Sequence, residues 1–200
     1  MPKPDLNMTV VILAGGKGSR LGGIDKGLIE LNDKPLIEHL INRLQMQSPN
    51  IIISANRNLE NYHQLGFPVY QDDIDDYAGP LAGILKALKH CPTEWLMTVP
   101  ADSPFIPVDL VERLSQKQHN NKIVIAHDGE QLQPTFSLIH KSLAASLQQF
   151  LQQGDRKMRV WMQQQTHDIV DFSDKANAFI NINTEDDLSY AEQHFTEFMA

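Results

Sequence analysis

Short, almost wholly apolar runs rich in β-branched residues alternate along this chain with segments of helical period, and no other feature narrows its possible folds as far. Thr9 to Ala14, Ile51 to Ile53, Val69-Tyr70 and Trp95 to Val99 read as strands, each closed by glycine, proline or polar residues. Between them Leu36, Ile37, Leu40, Ile41 and Leu44 fall on one helical stripe, with Pro35 suited to the first helical position, where its missing N–H costs nothing. Leu81, Ile84, Leu85 and Leu88 mark a helix starting at Pro80, and Leu110, Val111 and Leu114 one that follows Pro107. Strands apolar on both sides need cover on both faces, and strands spaced by helices pair in parallel through crossovers. The expectation is an α/β chain, doubly wound and Rossmann-like, with a mostly parallel sheet. Its 200 residues, 42% of them hydrophobic, suffice for one core and one domain spanning 1–200.

Past residue 120 the alternation loosens. Ile123-Val124-Ile125 and Phe136 to Ile139 are strand-like around the turn candidate Asp128-Gly129, as a hairpin or as a crossing pair. Leu143, Leu147, Phe150 and Leu151 give a helix ending near Gly154, and Arg156-Lys157-Met158-Arg159 opens the next segment. Ala178 to Asn183 reads as a late strand, with Thr184 capping a terminal helix.

A formal net charge of −8 excludes a general nucleic-acid binder, whose affinity needs many Lys and Arg contacts to phosphate, so any anion site must be local. The single cysteine, Cys91, permits no intrachain disulfide and fits a reducing compartment. The N-terminal residues carry no long apolar stretch, and Val10 to Ala14 is too short to span a bilayer. A cytoplasmic protein without membrane contact is expected.

Leu13-Ala14-Gly15-Gly16-Lys17-Gly18-Ser19-Arg20-Leu21-Gly22-Gly23-Ile24-Asp25-Lys26 follows the first strand directly, at the carboxyl edge where open α/β sheets bind ligands. Five glycines between Gly15 and Gly23 let backbone N–H groups approach an anion, while Lys17, Arg20 and Lys26 supply charge for several phosphate oxygens. The dinucleotide fingerprint lacks its third glycine, because Leu21 stands there, and the P-loop lysine is replaced by Ile24. Neither an NAD enzyme nor a P-loop NTPase is favoured; the loop suits the phosphates of a nucleoside triphosphate, and a glycine-rich surface loop is the alternative.

Leu13-Ala14-Gly15-Gly16 with Arg20 and Asp25-Lys26, then Ala55-Asn56-Arg57, Gly79 to Gly83, Pro100 to Pro104 and Asn181 to Thr184, resemble the molybdenum cofactor guanylyltransferases over nearly the whole chain. Related sugar-phosphate nucleotidyltransferases usually carry Pro-Lys where this chain has Asp25-Lys26. The resemblance implies a sheet of the nucleotidyltransferase type and transfer of GMP from GTP to molybdopterin with release of pyrophosphate. It implies GTP contacts at Leu13, Ala14, Gly15, Gly16, Lys26, Ser54, Asp72 and Asp102, with Mg²⁺ on Asp102. Implied partners are molybdenum-insertion proteins and recipient molybdoenzymes. Ser54 departs from the family's expected asparagine, and Asn56 is close enough to substitute.

The residues carry the same chemistry by themselves. Asp102 sits past the strand ending at Val99, and a lone carboxylate beside a triphosphate suits magnesium. Asp72 opens the acidic run Asp72, Asp73, Asp75, Asp76; its carboxylate can accept paired bonds from guanine or bonds from a ribose. Catalysis then rests on positioning and charge neutralisation by Arg20, Lys26 and Asp102, in keeping with the absence of any Ser-His-Asp or Cys-His constellation. The nucleotide belongs to the N-terminal half and the acceptor to the C-terminal half. There Arg156, Lys157 and Arg159 receive a phosphate or form a solvated helix face, and Asn181 and Asn183 face one side of a strand toward the pterin. Two other functions stay open: a cytidylyltransferase of molybdopterin or another phosphorylated acceptor, and a GTP-binding regulatory module without turnover.

Overall fold

A computed structural model describes residues 7–15, 24–72, 79–118 and 121–199. Its frame is a seven-stranded sheet in the order β5-β4-β1-β6-β8-β7-β9. The strands are β1 (Met8–Leu13), β4 (Ile51–Ser54), β5 (Val69–Tyr70), β6 (Trp95–Pro100), β7 (Ile123–His127), β8 (Leu132–His140) and β9 (His167–Asp171). Pairing is parallel from β5 through β6 and between β7 and β9, and β8 alone runs against its neighbours. Two short strands, β2 (Glu30–Leu31) and β3 (Lys34–Pro35), pair separately.

The apolar strands carry the expected double cover. Helices α1 (Leu36–Gln45) and α4 (Leu110–Ser115) pack on one face, where Val10, Ile12, Ile37, Leu40, Ile53, Val99 and Leu114 share a core. On the other face α3 (Pro80–His90), α5 (Ala144–Gln152) and α6 (Met158–Gln163) bury Val11, Ile84, Leu96, Leu147 and Trp161. Successive residues of β1 thus point into different cores, as the two-residue strand period demands. A third cluster joins Leu31, Leu36, Phe105 and Ile182 to α7 (Glu185–Gln193) and α8 (Phe195–Met199). No helix among the described residues is long and apolar enough to cross a membrane.

Several expectations shift. The first strand runs one residue earlier than read. Pro35 caps α1 rather than opening it, with ψ at 142°, because it is also paired in β3. The pair 123–127 and 132–140 is a hairpin, closed at Asp128, whose carboxylate accepts from the Glu130 and Gln131 N–H groups. Ala178 to Asn183 is not a strand: a 3-10 helix covers Ser173–Phe179 and the residues beyond it join no ladder. Phe179 and Ile182 are the buried positions there, three apart rather than two, and they enter different cores. Several elements went unread, among them β2, β3, α2 (Leu59–Gln64) and β9, the last with a half-buried edge pattern of His, Asp, Ile, Val and Asp that lacks the apolar run of an inner strand.

Leu40 is fully buried between α1 and the sheet. Leu40→Ala is expected to cost about 2–5 kcal/mol, the range for a buried leucine truncated in a core that relaxes only partly. Urea titration checks it, read as a lower midpoint at unchanged slope.

Candidate functional site

The strands β4, β1 and β6 end side by side, in register at Ser54, Leu13 and Pro100. Two backbone bonds extend this edge: Ala14 N–H donates to the Ser54 carbonyl at 2.8 Å and Ala101 N–H to the Leu13 carbonyl at 3.0 Å. Order reverses on either side of β1, so a crevice opens at its carboxyl end, the place where doubly wound sheets hold ligands. Leu13, Ala14 and Gly15 stand there. Gly16, Lys17 and Arg20, expected to complete the anion loop, lie outside the described residues, as do Asp73, Asp75 and Asp76.

Lys26 and Asp102 meet across the crevice. Lys26 Nζ donates to Asp102 Oδ2 at 3.3 Å and also to Asn183 Oδ1. The lysine and aspartate side chains keep 25% and 18% of their exposure, so the pair is neither dry nor fully screened. Burial pushes the Asp102 carboxyl above its ordinary range, against the pull of Lys26. A carboxylate so placed gains from further positive charge. No group of three or more His, Cys, Asp or Glu side chains suited to a metal gathers among the described residues. A cation at Asp102 would draw much of its shell from phosphate and water, which magnesium accepts readily.

On the β5 side, Asn56 holds Asp72 twice: its amide donates to Asp72 Oδ2 at 2.7 Å and its carbonyl accepts from the Asp72 N–H at 3.0 Å. Ser54 is buried beneath them. Helix α3 presses its first turn onto this corner at Gly83, where an added Cβ would run into the Ser54 side chain and come within 3.5 Å of Asp72 Oδ1. Glycine at 83 is thus the residue that lets the helix close on Ser54 and Asp72. Asn56 thus braces Asp72.

The C-terminal half reaches back into the same corner. Ile182 N–H donates to the Asp102 carbonyl at 2.9 Å, and Ser103 Oγ donates to Asn181 Oδ1. Asn181 meets Ser103 and Asn183 meets Lys26, although no strand carries them. The anchor is the cap of α7. Asp187 accepts from the N–H groups of Asn183 and Thr184 at 2.9 Å each, and the Thr184 hydroxyl accepts from the Asp187 N–H at 3.1 Å. Sequence reading found Thr184 as the cap but missed that Asn183 partners Lys26. The basic trio divides. Arg156 is half-buried, its guanidinium donating to the Leu151 and Asp155 carbonyls, and it lines a cavity of about 330 Å³ between α3 and α5. Lys157 and Arg159 are exposed.

A parallel switch-point crevice holding a lysine, a lone carboxylate and a braced aspartate defines a nucleotidyltransferase-type α/β protein. The sequence matches the family model described as the MobA-like NTP transferase domain over residues 10–169, and the chain belongs to that family. It is 50% identical to the molybdenum cofactor guanylyltransferase of Vibrio parahaemolyticus over 180 residues, covering 90% of this chain and 92% of that one. Identity to the Shewanella putrefaciens protein of the same name is 45%, with 90% and 93% covered. Among solved structures, molybdopterin-guanine dinucleotide biosynthesis protein A of Archaeoglobus fulgidus superposes with a TM-score of 0.76 at 25% identity, over 95% of this chain and all of that one. The 4-diphosphocytidyl-2C-methyl-D-erythritol synthase of Anaerococcus prevotii shares the fold, with a TM-score of 0.75 at 16% identity, over 94% and 98%.

Thr184→Ala removes the cap hydroxyl from α7. It is expected to lower stability by about 1 kcal/mol, with a matching drop in melting temperature by calorimetry.

Proposed function

We propose that this protein transfers GMP from GTP to molybdopterin, forming molybdopterin guanine dinucleotide and releasing pyrophosphate. The observation that carries the reading is the meeting of Lys26, Asp102 and Asn183 at the carboxyl edge of β1 and β6, in a chain half identical to guanylyltransferases of that name. A terminal phosphate oxygen of molybdopterin forms a bond to the α-phosphorus of GTP. The bond from that phosphorus to the bridging oxygen breaks, and pyrophosphate leaves with the electron pair. No protein nucleophile takes part, so the residues act by placing the two anions and offsetting their charge.

Leu13, Ala14, Gly15 and Gly16 border the triphosphate, which the backbone N–H groups of the glycines hold, and Arg20 stabilises the leaving phosphates. Lys26 faces the transferring phosphate. Its ammonium is already aimed by Asp102 and Asn183, so little reorganisation is needed as negative charge shifts toward pyrophosphate. Asp72, braced by Asn56, accepts from the guanine or its ribose, with Ser54 beneath it. Asp102 would hold Mg²⁺, which as a Lewis acid would offset the negative charge of the phosphate oxygens. The acceptor docks from the C-terminal half, where Arg156, Lys157 and Arg159 supply positive charge for its phosphate. Proteins that insert molybdenum and enzymes that receive the finished cofactor are the partners this product calls for, and a cytoplasmic site of action suits them.

Magnesium-dependent pyrophosphate release with molybdopterin as acceptor tests the reading. Turnover is expected with GTP and not with CTP or ATP. Asp102→Asn and Lys26→Ala are each expected to lower kcat by about 10²-fold or more, the scale for removing one preorganised electrostatic contact. Preference for CTP would replace the product with the cytosine dinucleotide. Tight GTP binding without release would make the protein a regulatory module.

A further inference from the structure

Asp25 is adjacent in sequence to the phosphate-facing lysine, yet its side chain points the other way, into the protein, where it is 5% exposed. Two hydrogen-bond donors and one guanidinium surround that carboxylate. Tyr62 Oη, from the fully buried Tyr62 of α2, donates to Oδ1 at 2.6 Å. Asn58 Nδ2 donates to Oδ2 at 3.1 Å, and Arg57 Nε stands 3.7 Å from the same oxygen. Arg57 also donates from Nη2 to the Ile24 carbonyl at 3.0 Å, fixing the peptide just before Asp25. A buried charge satisfied on this scale does not drift, because each lost donor leaves the carboxylate under-compensated.

The backbone around Lys26 is fixed as tightly. Leu28 N–H donates to the Asp25 carbonyl at 3.0 Å and Ile29 N–H to the Lys26 carbonyl at 3.2 Å, which closes a 3-10 turn over Lys26–Leu28. Gly27 has no room for a side chain: an added Cβ would sit 2.9 Å from Tyr62 Oη and 3.1 Å from Ala101 Cβ. Tyr62 therefore touches both the carboxylate before Lys26 and the glycine after it, and that glycine rests on the residue preceding Asp102.

We propose that Asp25 and Tyr62 are positioning residues for Lys26, a buried clamp that sets the lysine's reach to Asp102 and to the transferred phosphate. This rests on the reading of Lys26 as phosphate-facing. The clamp also ties the two ends of the nucleotide together. Arg57 and Asn58 belong to the same β4–α2 loop as Asn56, whose amide braces Asp72. A single loop thus orients the lysine on one side and the base- or ribose-facing aspartate on the other. Tyr62, read from sequence, carried no signal, since an isolated tyrosine in an unrecognised six-residue helix resembles ordinary core.

A double-mutant cycle over Tyr62→Phe and Lys26→Gln tests the clamp, with Mg-GTP affinity and pyrophosphate release both measured on folded protein. Phenylalanine keeps the volume of the site and removes one donor. Tyr62→Phe alone is expected to lower kcat/KM by about tenfold, within the range for small misplacements of a reacting group. In the Lys26→Gln background the same change should leave affinity and residual rate within about twofold, because its effect passes through the lysine. Equal losses in both backgrounds would make Tyr62 a stability residue only and overturn the proposal. So would a Tyr62→Phe protein that matches the wild type while Lys26→Gln is crippled. A Lys26→Gln protein with normal affinity and turnover would instead overturn the reading of Lys26, and the clamp with it. Should Tyr62→Phe melt too low to assay, Asn58→Gly provides the same comparison, since glycine keeps the left-handed backbone at 58 and removes the amide donor.

Discussion

Everything at the candidate site depends on β4, β1 and β6 being parallel and in register, because this brings three strand ends to one edge with their last carbonyls and N–H groups facing one another. The chain after each strand must then leave along the same rim. The Ala14 and Ala101 N–H groups satisfy the outermost carbonyls of neighbouring strands, so the rim is hydrogen-bonded one residue beyond the sheet proper. That is why segments from distant parts of the sequence converge with little freedom: Leu13 to Gly15, Ser54 to Asn56, and Pro100 to Ser103.

Charge on this rim is balanced locally, in a chain that is acidic overall. Lys26 is matched by Asp102 and Asn183, and Asp25 by Tyr62, Asn58 and Arg57. The two carboxylates play opposite parts. Asp25 is buried among several donors, and burial together with this neighbour holds the Tyr62 hydroxyl far above its usual range. Asp102 has fewer protein donors, and burial raises its carboxyl. One is a finished structural contact, whereas the other is an electrostatic deficit that an incoming cation relieves.

The parallel frame was legible because apolar β-branched runs and helical stripes have periods that leave little choice, and Lys26, Asp72 and Asp102 were legible because charged residues at strand ends have few structural duties. What escaped had no such signal. Strand β9 is an edge, so its pattern is mixed, and its partner β7 lies some forty residues away in sequence. The stretch before Thr184 looked like a strand because Phe, Ile and Asn alternate, yet burial follows a spacing of three set by two separate cores. Asn183 reads from sequence as a pterin contact on a strand, whereas its bond to Lys26 depends on the cap of α7, a tertiary relation that no local pattern encodes.

That bond spans 157 residues. During synthesis the strands β1, β4, β5 and β6 emerge first and can pair while the remainder is still being made, since the parallel crossovers among them are complete by Pro100. Lys26 then waits for Asn183, and Asp102 waits for Ile182, until that later segment has left the ribosome. A nascent or C-terminally clipped chain would hold most of the nucleotide crevice without the residues that aim its lysine. The arrangement around Lys26 is therefore finished by a segment made long after the strands that carry the crevice.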